Sequence, residues 1–519
     1  MSAPTSPIPQ ANSSTAELDS ILARIGGLVD KQPRSTSSAA QSIPPSTQAI
    51  PVRNSMPSGP SAAPVSAPVG VHSSTTTAKS NPIAEQAPCS FGRMTGDRDE
   101  AFIPTPPTTL EGAGISDTLL EALVMRYLLQ RGEAAGRAIA QQVKLPFLLV
   151  EPLLNRLKAE QMTSYRGANS VNDYTHTLTD QGRDRAARHY LHQTTYFGSA
   201  PVPLEHYNEA VKLQSVEGQR PRREELLHAF RDLLVDRKML SKIGPAINSG
   251  RGMFLYGYPG NGKTSIAERI TMAFGKYIWI PRSVLIDGDI MRLYDPLMHE
   301  EHEVEESTGY LKEGSYDGRW ARIKRPTIIA GGELTMEMLE VQQDKDTGIN
   351  ESPLQMKSNC GVLVIDDFGR QRMRVDELLN RWIVPLEKRF DYLNLSSGKK
   401  TQVPFDQLVI FSTNLQPKDL VDDAFLRRIP YKIEVENPSE AAFRKLFEIM
   451  CPRSGLPYKP DVIDYLINTH YKPTGRPFRN CHPRDLLLQV RNYCLYHDEP
   501  LDLCNDYVDF ACENYFSIM

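Results

Sequence analysis

The chain lacks any pairing pattern for its cysteines. Cys89, Cys360, Cys451, Cys481, Cys494, Cys504 and Cys512 are seven in number, scattered over 519 residues, with no C-x-x-C among them. Such a set fits reduced thiols better than a disulfide framework or a zinc site. Long apolar runs are lacking too. No stretch approaches the roughly 20 apolar residues of a membrane-spanning helix. The opening MSAPTSPIPQANSS has neither the basic start nor the apolar centre of a signal peptide. A cytoplasmic protein without a membrane span is therefore expected. Nor does one sign of charge dominate: the net charge is -4 with 24% charged residues. This argues against a polybasic coat for nucleic acid or membrane and leaves room for a local basic face.

What is present divides the chain into segments, about three domains' worth at roughly 150 residues each. Residues 1–110 are rich in Ser, Pro, Ala and Thr and poor in aromatics, so burial cannot offset chain entropy and a disordered arm is predicted. One island, Leu18, Ile21, Leu22, Ile25 and Leu28 behind Ser13, Ser14 and Thr15, has helical spacing. It reads as a docking helix or as a transient helix with no partner. From Ser116 the stretches TLLEALVMRYLLQ, AAGRAIAQQV and LLVEPLLNRLKAEQM read as three amphipathic helices. SYRGANSVNDYTHTLTDQGRDRAARHY then reads as two short strands around a Gly/Asn turn and a helix opening at Thr179. This order, with L-T-D-x-G-R closing the hairpin, resembles the winged-helix family over residues 116–192. In the third helix Arg156 and Lys158 are offset by Glu151 and Glu160, which favours protein docking and keeps DNA as an alternative partner. Residues 193–221, with Pro201, Pro203 and Pro221, read as a linker. Residues 222–436 alternate short apolar strands with helices, and 437–519 read as wholly helical.

The chemistry concentrates in three strands. GMFLYG runs into GYPGNGKTS and the helical IAERITMAF, which is G-x-x-x-x-G-K-[ST] in the strand-to-helix context that a phosphate loop requires. Gly257, Tyr258, Pro259, Gly260, Asn261, Gly262, Lys263, Thr264 and Ser265 form it. The glycines let successive N–H groups face phosphate oxygens, and the helix adds its positive end. Lys263 is expected to reach the β- and γ-phosphates of ATP, and Thr264 to ligate Mg²⁺. GVLVIDDFG is a buried strand ending in Asp366, which can hold the magnesium shell, and Asp367. QLVIFSTN ends in Asn414, placed to bond the γ-phosphate or the attacking water.

With LVDDAFLRRIPYKIEV and HPRDLLLQV following, these elements in this order resemble the AAA+ ATPases over residues 222–519. The resemblance implies an α/β fold: a parallel-sheet P-loop core (222–436) with a helical lid (437–519), behind the winged-helix domain and the disordered arm. It implies that Asp367 stands where related ATPases carry a water-orienting Glu, one methylene longer, and that Asn414 is a first sensor. Arg427 and Arg428 match the arginine-finger position facing a neighbouring subunit, with a surface salt bridge to Asp422 or Asp423 as the other reading. Arg484 looks like a second sensor. An Arg suits such roles because its fixed fork stabilises charge spread over phosphoryl oxygens. DYLNLSSGKKTQVPF reads as a hairpin around Ser397-Gly398 ahead of the Asn414 strand. It resembles a subgroup that includes transcription activators, magnesium chelatase subunits and replicative helicases. The activators' G-A-F-T-G-A loop is absent.

Residues 297–358 form a long insert. In its HEEHEVEE run His299 and His302 lie three apart, not the four of a metalloprotease helix, so an acidic loop is expected. The insert is read as facing a ring channel or partner, or as a peripheral hairpin. The expected activity is ATP hydrolysis in a homo-oligomeric, hexameric ring that remodels a protein client. The alternatives are a DNA-directed ATPase and an ATP-dependent assembly switch.

Overall fold

The computed structural model describes residues 90–517, apart from 171–172, 193, 305–315, 346 and 396. The 18–28 island lies outside the described residues. The fold is α/β. Val362–Ile365 (VLVI) and Leu408–Thr413 (LVIFST) are buried at every position, as strands covered by helices on both faces must be. They sit inside a five-stranded sheet in the order Thr327–Ala330, Val362–Ile365, Leu408–Thr413, Met253–Tyr256, Tyr431–Glu434, parallel throughout. Alternate residues feed two cores, following the two-residue period of a strand. Met253, Leu255, Val362 and Val364 pack with Ile247, Ile266 and Ile270 on one face. Phe254, Leu363, Ile365 and Phe411 pack with Trp382, Phe405 and Phe425 on the other.

The edge strand Thr327–Ala330 comes from within the 297–358 insert, so that segment is not a peripheral hairpin. It carries a strand of the central sheet, and its Trp320–Lys324 pairs antiparallel with Tyr277–Pro281. His299 is buried, accepting at Nδ1 from Asp295 N–H (3.0 Å) and bonding Lys357 O through Nε2 (2.9 Å). The hairpin lies where its turn residues place it, with Phe390–Asn394 paired to Lys400–Pro404 directly before the Leu408–Thr413 strand.

Ahead of the sheet come helices Asp117–Arg131, Gly136–Val143 and Phe147–Ala159. An antiparallel sheet in the order Glu133–Ala135, Asp173–Leu178, Thr163–Ser170 and helix Asp180–His192 complete the unit. Ser116 caps the first helix, its Oγ accepting from Leu119 N–H at 3.2 Å. The core of this unit continues into Leu285 and Ile290, from the antiparallel strands Ser283–Ile286 and Asp289–Arg292, and into Ile349.

Two expectations from composition need correcting. Gly92–Met94 and Phe102–Pro104 pair as strands, and Phe91 and Phe102 pack with Trp279 and Trp320, so the arm does not run to residue 110. The 193–221 stretch is not a bare linker either. Val202–Pro203 joins a sheet and helix Leu204–Leu213 buries Tyr207 and Val211. In both cases a few aromatic or β-branched residues find distant partners that composition averages out.

After Glu436 the chain is helical: Glu440–Arg453, Pro460–Leu466, a wide turn at Ile467–Tyr471, His482–Tyr496 and Asn505–Phe516, around one apolar core. No helix among the described residues is long and apolar enough to cross a membrane.

Candidate functional site

Parallel strands end on one side of their sheet, and that edge is where α/β proteins place ligands. Strand Met253–Tyr256 lies between Leu408–Thr413 and Tyr431–Glu434, so its C-terminal loop opens beside the end of the central strand. Gly257 makes the first turn at φ 140°, where an added Cβ would stand 2.5 Å from Val435 O. Only glycine fits there. Gly262, at φ 82°, begins helix Lys263–Thr271.

The side chains that end these strands meet. Lys263, 7% exposed, donates from Nζ to Gly257 O (2.9 Å), Tyr258 O (3.2 Å) and Asn414 Oδ1 (2.6 Å). Burial lowers its pKa from the ordinary lysine value, against the opposing pull of Asp366 and Asp367. Thr264 Oγ1 donates to Asp366 Oδ2 at 2.8 Å, and Asp366 Oδ1 accepts from Asp367 N–H at 3.0 Å. Asn414 bridges two motifs, since its Nδ2 also donates to Asp367 Oδ1 at 3.2 Å. Lys263, Thr264, Asp366, Asp367 and Asn414 are thus one hydrogen-bonded set, assembled from three adjacent strands.

They form the polar floor of a cavity of about 1340 Å³ that Pro259, Gly260, Asn261, Gly262 and Ser265 also line. One wall is apolar, from Leu233, Leu234, Val235 and Met239 on the core side and Leu446, Ile449 and Met450 on the lid. Arg484 lines the same cavity from the start of helix His482–Tyr496, its Nε bonded to Asp485 Oδ1 at 2.9 Å. Tyr258, 61% exposed, points to solvent rather than into the packed interior.

Arg427 and Arg428 are not brought to this cavity. They end helix Asp423–Arg428, where Arg427 is exposed and Arg428 Nε pairs with Glu387 Oε1 at 2.7 Å. Asp422, one of the two acids expected beside them, instead caps that helix by accepting from Phe425 N–H at 2.8 Å. Motif reasoning missed Asn437, Asn480, Cys481 and the apolar wall. Asn480 reaches Asn261 across 219 residues, and no local pattern marks such a pair.

A family model described as "Domain of unknown function (DUF8689)" matches residues 439–514, which lie in the lid. No curated protein sequence matches the chain. Among solved structures, NtrX from Brucella abortus is similar with 13% identity, covering 53% of this chain and 54% of that one, at a TM-score of 0.34. The same protein in complex with ADP is similar at 14% identity, with the same coverage and a TM-score of 0.33. The chain therefore spans little more than half the length of NtrX. RuvB from Thermotoga maritima, described as a Holliday junction branch migration motor, is similar at 14% identity, covering 55% of this chain and 70% of that one, at a TM-score of 0.31. Likeness at this level assigns no function, which has to come from the residues of this chain.

Proposed function

We propose that this chain is an AAA+ ATPase that binds ATP over its phosphate loop and hydrolyses it to ADP and phosphate. The observation that carries this is the single hydrogen-bonded set of Lys263, Thr264, Asp366, Asp367 and Asn414, flooring a cavity with an apolar wall. The polar floor suits a triphosphate and the apolar wall a base.

Each residue then has a task. The loop's N–H groups hold phosphate oxygens, and Lys263 exchanges its protein acceptors for the β- and γ-phosphates. Thr264 and Asp366 fit Mg²⁺: they present a hydroxyl and a carboxylate oxygen 2.8 Å apart. A hard cation that keeps several of its waters needs few protein ligands. When bound, the ion supplies neutralisation of phosphoryl charge. Asp367 orients the attacking water, and Asn414 holds that carboxylate through its Nδ2. Arg484 adds positive charge from the lid. Arg427, exposed outside the cavity of its own chain, suits a role at a neighbouring subunit's site in a hexameric ring. Positioning and charge neutralisation carry most of the rate in such chemistry.

Residues 116–192 have the helix and strand order of a winged helix. Several of their arginines pair with carboxylates: Arg156 with Asp117 (2.6 Å) and Glu121 (3.6 Å), Arg185 with Glu121 (2.6 Å) and Glu160 (3.2 Å). Guanidinium groups held by carboxylates are poor phosphate contacts, which supports a protein client over DNA. The test of the activity is Lys263→Ala, expected to abolish ATP turnover with the fold intact. Wild-type turnover in that variant, free of contaminating ATPases, overturns the proposal.

A further inference from the structure

The lid meets the phosphate loop through contacts in which Arg484 takes no part. In a loop whose N–H groups turn inward to an anion, the carbonyls turn outward. The lid takes two of them. Cys481 N–H donates to Gly260 O at 2.8 Å, and Asn480 Nδ2 donates to Asn261 O at 3.0 Å. The Asn261 side chain, 1% exposed, closes the arrangement. Its Oδ1 accepts from Asn480 N–H at 3.3 Å, and its Nδ2 donates to Asn437 Oδ1 at 2.8 Å, just past the Tyr431–Glu434 strand. A Cβ on Gly260 would stand 2.4 Å from Cys481 Sγ, so the Cys481 side chain packs where only a glycine leaves it room. Behind the contact, buried His482 bonds Tyr471 Oη through Nδ1 at 2.9 Å, tying the start of the lid helix to the Ile467–Tyr471 turn.

We propose that Asn480 is a positioning residue for nucleotide binding, latching the lid to the phosphate loop through Asn261 and holding the loop in its anion-accepting shape. The proposal rests on the nucleotide-binding reading above. These contacts occupy two carbonyls and one side chain of the loop and none of its N–H groups, so the latch stays made while phosphates are held. Asn261 joins three separate pieces of chain: the loop, the end of the sheet and the lid. A lid displaced from the loop breaks three lid–loop hydrogen bonds at once, which only water can then replace. Loop shape and lid position are therefore one variable. Because the latch grips the loop rather than the site of the terminal phosphate, it affects ADP and ATP alike.

The test is titration of the full chain with fluorescent N-methylanthraniloyl ADP and ATP in the presence of Mg²⁺, for wild type, Asn480→Ala and Asn480→Asp. Losing the one Nδ2 hydrogen bond predicts roughly a fivefold weaker Kd for both nucleotides in Asn480→Ala, which keeps the backbone N–H bond. Asn480→Asp keeps the backbone N–H bond to Asn261 and the side-chain volume, but it sets a carboxylate oxygen against the Asn261 carbonyl and adds negative charge beside the loop, so it is expected to bind at least as weakly as Asn480→Ala. A purely structural role would lower the thermal midpoint of the nucleotide-free protein and leave affinity unchanged. Hydrogen exchange at the Cys481 amide is a second measurement, slow in wild type and faster in both variants. Wild type that binds, with both variants binding within about twofold of it, overturns the positioning role whatever the exchange rate. Wild type that fails to bind either nucleotide overturns the nucleotide reading itself.

Discussion

Asp367 offers a perturbation that removes chemistry without disturbing structure. Its side chain is exposed at the strand end, and its backbone stands at φ 48°. Among side-chain-bearing residues, Asn and Asp adopt this left-handed region most readily. Asp367→Asn therefore suits the backbone, keeps the volume, and retains an Oδ1 to accept from Asn414 Nδ2. The Asp367 N–H bond to Asp366 is untouched, because it belongs to the main chain. Stability should stay within about 0.5 kcal/mol of wild type, as for surface changes that spare special contacts. Catalysis should not. A carboxylate that positions or deprotonates the attacking water contributes about 10²–10⁴-fold in rate, roughly 3–5 kcal/mol of barrier. Phosphate release at saturating ATP should fall at least about 100-fold, while affinity for the fluorescent ATP analogue stays near that of wild type. Asp367→Glu should keep activity, with about 1 kcal/mol lost because a longer side chain fits the left-handed conformation less well. That conformation also gives a physical reason for Asp where the AAA+ resemblance leads one to expect Glu. Wild-type turnover in Asp367→Asn would mean that another group orients the water.

Two further outcomes follow from the same geometry. Chains carrying Arg427→Ala keep their own phosphate loop, and Lys263→Ala chains keep their own finger, so mixing the two inactive proteins should restore some turnover; no recovery, or full turnover by strict monomers, refutes catalysis shared between subunits. His482 is held neutral, its pKa lowered from 6.5 to about 4 chiefly by burial, with Arg479 and Arg476 adding to the effect. The unfolded chain takes up this proton below its ordinary value, so the contribution is complete above about pH 6.5 and is lost as pH falls towards 4. The thermal midpoint should drop across that window and drop less in His482→Gln, and parallel profiles for the two proteins would exclude the assignment.

What could be read from the chain alone was whatever a short, contiguous stretch specifies. The turn from Met253–Tyr256 into Lys263–Thr271 needs glycines at set positions within a few residues, and GYPGNGKT states them. VLVI and LVIFST are continuous apolar runs, which mark strands covered on both faces. The hairpin before Leu408–Thr413 is marked by its own turn, and the lid by helical periodicity. Other features depended on pairings that no local pattern carries. TIIA at Thr327–Ala330 is too short to announce itself as a neighbour of Val362–Ile365, and its place is set by backbone hydrogen bonding across the sheet. Phe91 and Phe102 became core only because Trp279 and Trp320 lie opposite them. Arg428 found Glu387 on another helix rather than the acids beside it in sequence, and Asn261 found Asn437 and Asn480 far along the chain. Periodicity and turn chemistry act over a few residues and are written in order along the sequence, whereas a hydrogen bond between single side chains is specific only once folding has brought both to one place and excluded water from between them.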